Sequence, residues 1–141
     1  LHSSNIYILT IEADETLGHF AEWAGIKTQS IRNINNLSYN SSIFIGQKLK
    51  MPISEKTRDE FISKRAEYHL SIQEDFYQGY RVGSLKEYSI KRGDNLLNIL
   101  NRNELPFWLF RRSQKEKITY NQSLNVGDKF LIPEVSEIQK N

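Results

Sequence analysis

None of the 141 residues is a cysteine, three are prolines and one is methionine. The lack of cysteine excludes a disulfide scaffold and a thiolate metal site, and is compatible with either the cytosol or a bacterial envelope. No apolar run approaches the roughly 18 residues of a membrane span, and Leu1-His2-Ser3-Ser4 lacks the three-part layout of a signal peptide. The chain opens on leucine, which suggests an excised fragment or a mature product whose export signal, anchor or catalytic domain would lie elsewhere. An excess of one charge is missing too. With 19 Lys+Arg against 17 Asp+Glu the net charge is +2, short of a nucleic-acid footprint. His2, His19 and His69 have no i, i+4 partner or acidic companion at ligand spacing, so no metal site is expected.

What is present is an internal repeat. Leu37-Ser38-Tyr39-Asn40 through Ile45-Gly46-Gln47-Lys48-Leu49-Lys50-Met51-Pro52 returns as Ile118-Thr119-Tyr120-Asn121 through Val126-Gly127-Asp128-Lys129-Phe130-Leu131-Ile132-Pro133, 81 positions on. Upstream, Asp14-Glu15-Thr16-Leu17 returns as Gly93-Asp94-Asn95-Leu96 at a distance of 79. The spacing therefore predicts two similar modules, the second carrying a two-residue insertion. Units of about 45 residues bury little core, and without disulfides they need a neighbour.

In the first module Leu9 and Ile11 alternate with Thr10 and Glu12, the period of a strand with one buried face. Thr16 is a suitable N-cap for a helix with a Leu17, Phe20, Ala21, Ala24 stripe, which Gly25 ends. Thr28 is placed to cap a second helix carrying Ile31 and Ile34, and alternation returns at Lys48–Met51. The second module repeats these steps: Tyr88 and Ile90, then Asn95 as cap, the stripe Leu96, Ile99, Leu100, Pro106 in the first turn of the next helix, and Phe130 with Ile132. Between them Ser54 to about Gln78 reads as a long helix with recurring aromatics (Phe61, Tyr68, Phe76) expected to complete both cores. The expected class is α+β: two βααβ modules, each a two-stranded antiparallel sheet with two helices on one face, joined by a long helix. The boundaries are 5–53, a helical linker 54–86, 87–135 with an altered second half, and a tail 136–141.

A strand followed by Gly93-Asp94-Asn95-Leu96 and closed by Val126–Pro133, together with the closing segment Ile45–Pro52, resembles the LysM family. The resemblance covers about 95 residues. It implies binding of N-acetylglucosamine-containing glycan, peptidoglycan above all, at the bacterial cell envelope, without catalysis or cofactor. Carried over by position, the site residues are Asp14, Glu15, Thr16 and Leu17 facing Asn36, Leu37 and Ser38 in the first module. In the second they are Gly93, Asp94, Asn95 and Leu96 facing Lys117, Ile118 and Thr119. Two departures stand out: Asp14 replaces the usual glycine, and the basic segment Arg111, Arg112, Lys115, Lys117 replaces the Asn35-Asn36 corner.

Other readings compete. Asp14, Glu15, Asp94 and Asn95 are also ordinary capping and helix-dipole residues. Glu12, Asp14 and Glu15 as glycosidase carboxylates are disfavoured, because no apolar pocket is evident to raise a pKa. The continuous run Phe107, Trp108, Leu109, Phe110 exceeds one buried face and suggests protein docking through Phe107, Trp108 and Phe110. A third reading is the targeting region of a larger wall hydrolase.

Overall fold

The computed structural model describes residues 5–139; His2 and the rest of the Leu1–Ser4 segment lie outside them, as does the end of the expected tail. The element order is β1 (Tyr7–Thr10), α1 (Leu17–Ala24), α2 (Thr28–Ile34), β2 (Lys48–Met51), α3 (Glu55–Gly79), β3 (Tyr80–Ser89), α4 (Leu96–Arg102), α5 (Phe107–Ser113) and β4 (Lys129–Glu137). The class is α+β, with two two-stranded antiparallel sheets. Two compact units, Leu1–Gln73 and Glu74–Asn141, divide the chain within α3.

In the first unit Leu9 of β1 sits opposite Leu49 of β2, and Tyr7 opposite Met51. The alternation puts Leu9, Leu49 and Met51 inside while Ile8, Lys48 and Lys50 face out. Two strands bury one face only, so the other wall of the core comes from Phe20, Ala21 and Trp23 of α1 and Ile31 of α2. Leu17 and Ala24 are only partly buried. Trp23 joins the core because Phe61 of α3, itself fully buried, approaches it edge-on at 6.1 Å and also meets Tyr7 at 6.0 Å. This contribution of α3 supplies the neighbour that a module of this size needs.

Helix ends follow local chemistry with two corrections. Thr16 caps α1 and Gly25 ends it with φ 68°. At α2, however, Lys27 holds the cap position without a side-chain bond, and Thr28 is the first helical residue, its hydroxyl accepting from Arg32 at 3.4 Å. Pro106 likewise sits at the cap of α5, one position before the first turn, where its fixed φ of -68° fits equally well.

The second unit buries Ile90, Leu96, Ile99, Leu100, Leu105, Leu109, Phe110 and Ile118, with Phe76 of α3 and Phe130 and Ile132 of β4 against them. The segment expected as linker over 54–86 is helix to Gly79 and strand from Tyr80. β3 and β4 form a long ribbon with Tyr88 opposite Phe130 and Val82 opposite Val135, its register shifting between Val82 and Leu85. Most side chains of β3 are exposed. Backbone pairing, rather than an apolar face, defines this strand, so it carries little alternating signal.

The same hydrogen bonds recur within each unit. Ile11 N–H donates to Gln47 O at 2.9 Å and Gly46 N–H to Ile11 O at 2.7 Å; Ile90 to Asp128 O at 2.8 Å and Gly127 to Ile90 O at 2.9 Å are their equivalents. The Asn35 side-chain amide donates to Lys50 O and accepts from Lys50 N–H, both at 2.8 Å. Gln114 does the same to Leu131 at 2.7 and 2.8 Å. The extra residues of the second unit therefore lie between Gln114 and Ile118.

Candidate binding loops

The β1–α1 connection of the first unit combines a left-handed turn with a reciprocal helix cap. Asp14 takes up the left-handed backbone (φ 68°) that Gly93 takes in the second unit (φ 90°). The glycine-to-aspartate departure thus preserves the turn, because aspartate tolerates this region better than most residues. Thr16 Oγ1 accepts from His19 N–H at 3.1 Å while His19 Nδ1 accepts from Thr16 N–H at 3.1 Å, a reciprocal cap. The first-turn N–H groups of Leu17 and Gly18 then have no carbonyl within helical reach.

Glu15 does not face solvent. Its side chain is 0% exposed and bidentate to Arg65, with Nε at 2.6 Å from Oε2 and Nη2 at 2.9 Å from Oε1. Glu12 N–H donates to Oε1 at 2.7 Å, and His69 Nε2 lies 2.7 Å from Oε2. Burial pushes the Glu15 pKa up, but the hydrogen bonds from His69, Arg65 and the Glu12 N–H, with the Arg65 charge, outweigh it and hold the carboxyl below its ordinary value. A carboxyl kept ionised in this way is no general acid.

Arg65, Tyr68 and His69 were not among the expected site residues. They share one face of α3 at i, i+3 and i+4, and Tyr68 donates its hydroxyl to Asp14 O at 2.5 Å. The available signal was Arg65, a charge four residues after Phe61 and three before Tyr68 on the apolar stripe. The fold also supplies His69 with the acidic companion that linear spacing did not show: Glu12, Glu15 and His69 offer ligand atoms within 4.8 Å of one another. The Arg65 guanidinium, 3.5 Å from Glu12 Oε2, already provides the positive charge there.

On the facing α2–β2 connection, Asn36 is exposed with φ 55° and Ser38 N–H donates to Ser41 Oγ at 2.9 Å. Leu37 and Leu17 are both partly buried and pack against the same core. Tyr39 is 81% exposed, with the Arg32 guanidinium 5.1 Å from its ring centre.

The second unit is built differently. Asp94 Oδ2 accepts from the Tyr88 hydroxyl at 2.6 Å and Lys91 N–H at 2.8 Å, and Arg102 reaches the Tyr88 hydroxyl at 3.0 Å. The Tyr88 bond, chiefly, lowers the Asp94 pKa and raises that of Tyr88. Asn95 Oδ1 accepts from Asn98 N–H at 2.8 Å. Leu96 and Ile118, both among the site residues carried over by position, are 6% and 3% exposed and belong to the core. Thr119 N–H is taken by Gln122 Oε1 at 3.2 Å, and Tyr120 packs edge-on against Phe107 at 5.2 Å. A cleft of about 330 Å³ takes in Lys117 and Ile118 but none of Gly93–Leu96.

The aromatic run is buried at Leu109 and Phe110 and partly covered at Phe107 and Trp108 from within its own unit. Phe110 is fully buried, Trp108 meets Phe76 at 5.3 Å and Tyr77 at 5.8 Å, and Phe107 meets Tyr120. Phe107 and Trp108, two of the residues expected to dock a protein, therefore pack in part against the α5–β4 connection and α3 and stay partly exposed.

Residues 9–52 match the family model described as LysM domain. No curated protein matches the chain. Among solved structures, the Bacillus cereus spore cortex-lytic enzyme SleL is similar at 16% identity and a TM-score of 0.34, over 92% of this chain and 23% of that one. The Bacillus megaterium QM B1551 spore cortex-lytic enzyme SleL is similar at 17% identity and a TM-score of 0.32, over 94% of this chain and 23% of that one. The chain spans about a quarter of the length of these structures. The matched segment runs from β1 to the residue after β2 through two helices, so residues 9–52 are similar to a LysM domain in sequence and have a strand–helix–helix–strand order.

Proposed function

We propose that this protein binds N-acetylglucosamine-containing glycan, peptidoglycan in the first instance, without catalysis, and fixes its parent protein to the bacterial cell wall. The single observation that carries the reading is the first unit's helix start within the LysM match: a capped turn that opens on Leu17, which like Leu37 is only partly buried against the unit's core. An N-acetyl group offers one N–H, one carbonyl and one methyl. The amides of Leu17 and Gly18 donate to the carbonyl, the two leucines receive the methyl, and loop carbonyls accept the N–H. The recognised part of the ligand is neutral, so affinity depends little on salt.

The second unit is read as a further LysM-like module, supported by its equivalent backbone bonds and by Asn95 capping as Thr16 does. Its Leu96 and Ile118 are buried, so the first unit is the stronger site. A shallow polar site binds weakly. Two modules that engage one polymer raise the apparent affinity through effective concentration.

Sedimentation with purified sacculi tests the reading. Co-pelleting that persists in high salt and is lost in Thr16→Arg supports it; a wild-type chain that stays in the supernatant refutes it.

A further inference from the structure

We propose that Arg65, Tyr68 and His69 of α3, which lie beyond the LysM match, are positioning residues for glycan recognition by the first unit's β1–α1 loop. The inference rests on the glycan-binding reading above. The loop is tied to the helix from several sides. Arg65 Nη2 donates to Thr10 O at 2.6 Å as well as to Glu15, Tyr68 donates to Asp14 O, and His69 holds the second Glu15 oxygen. Glu15 passes the constraint on by accepting the Glu12 N–H. The bonds therefore bracket Thr10 to Glu15, directly before the cap at Thr16.

This loop needs an external hold. Asp14 sits in a left-handed conformation that a non-glycine residue adopts at a cost, and such strain persists only where the surroundings over-determine it. In the second unit the same turn has Gly93, and its acid, Asp94, is bonded from β3 by Tyr88 and approached by Arg102 of α4. The first unit's turn is strained and braced by α3; the second has a glycine and is braced by its own strand and helix. A bidentate guanidinium–carboxylate pair fixes orientation as well as distance, so Arg65 sets the direction in which the following helix start presents its amides.

The test uses the full chain with tetraacetylchitotetraose as probe and nuclear magnetic resonance as readout. Wild type is compared with Tyr68→Phe, Arg65→Met, Arg65→Lys and the control Leu70→Ala, which alters an α3 side chain 54% exposed. Without glycan, amide exchange at Glu12 and Thr16 should accelerate in Tyr68→Phe but not in Leu70→Ala, while Ile11 and Gly46, bonded across the sheet, stay protected. A general loss of stability would release all four. With glycan, perturbation at Asp14–Leu17 should require about three- to tenfold more ligand in Tyr68→Phe, the worth of one hydrogen bond. Arg65→Lys should recover part of what Arg65→Met loses. Unchanged exchange and unchanged affinity in Tyr68→Phe and Arg65→Met overturn the positioning role. If wild type itself shows no perturbation, the glycan reading and the proposed role in recognition fall together, and exchange then decides only whether α3 braces the loop.

Discussion

Replacing Arg65 with methionine leaves the Glu15 carboxylate in place, buried and without its guanidinium. Breaking a buried pair from one side typically costs about 3–5 kcal/mol, because the remaining charge is desolvated and uncompensated. Here His69 and the Glu12 N–H stay bonded to Glu15, which places Arg65→Met at the lower end, about 3 kcal/mol. Replacing both partners, as Glu15→Leu with Arg65→Met, removes the orphaned charge and should cost less than Arg65→Met alone. The pH dependence has a definite sign. In the wild type the folded-state pKa of Glu15 is depressed, so its contribution is present above the unfolded-state value and is lost as pH falls through the lower, folded value. In Arg65→Met the carboxyl keeps its burial and loses its strongest counter-charge, so its pKa rises and protonation relieves the penalty. The gap between wild type and variant should therefore narrow on going from neutral pH to about pH 4, near the unfolded carboxyl value. Urea unfolding followed by Trp23 fluorescence, in a Trp108→Phe background that removes the other tryptophan, measures this. A deficit below about 1 kcal/mol, the worth of an exposed pair, or one that does not change with pH, would refute the reasoning.

Three further outcomes are expected. Phe61→Ala removes a fully buried ring at the junction of β1, α1 and α3 and should cost the first unit about 3–5 kcal/mol in urea unfolding at Trp23. Glu104 has φ 52° at the position equivalent to Gly25, which ends α1; Glu104→Gly should stabilise the second unit by about 0.5–1 kcal/mol, read from the urea midpoint at Trp108 in a Trp23→Phe background. Tyr39→Ala should leave stability within about 0.5 kcal/mol, since the ring is largely in solvent, while removing an exposed face on which a sugar ring can stack and so weakening chitooligosaccharide binding in calorimetry; unchanged affinity would exclude that stacking.

The parts of this fold legible in the sequence are those decided within a few residues. Thr16, Asn95 and Gly25 act through their own backbone neighbours, so their roles follow from residue type and position. The turn at Asp14 was legible as a departure from glycine, but not as a turn that still forms. Glu15 looked like an exposed dipole residue because its partner stands 50 positions away, and no local pattern announces a bidentate bond closed by tertiary structure. Leu96 was legible as core because it opens the apolar stripe with Ile99 and Leu100, whereas Ile118, a loop residue with no local periodicity, gave no sign of its burial. β3 escaped notice before Tyr88 because its upper half is held by main-chain pairing with β4.

The amides of Asn35 and Gln114 have an effect beyond local stability. A two-stranded sheet has two open margins, each a template for adventitious strand addition. By offering Lys50 or Leu131 the donor and acceptor that another strand would bring, these side chains occupy the outward groups at mid-strand in β2 and β4. Each unit thereby carries a one-residue counterfeit of a third strand, which guards that margin against strand addition from a second copy.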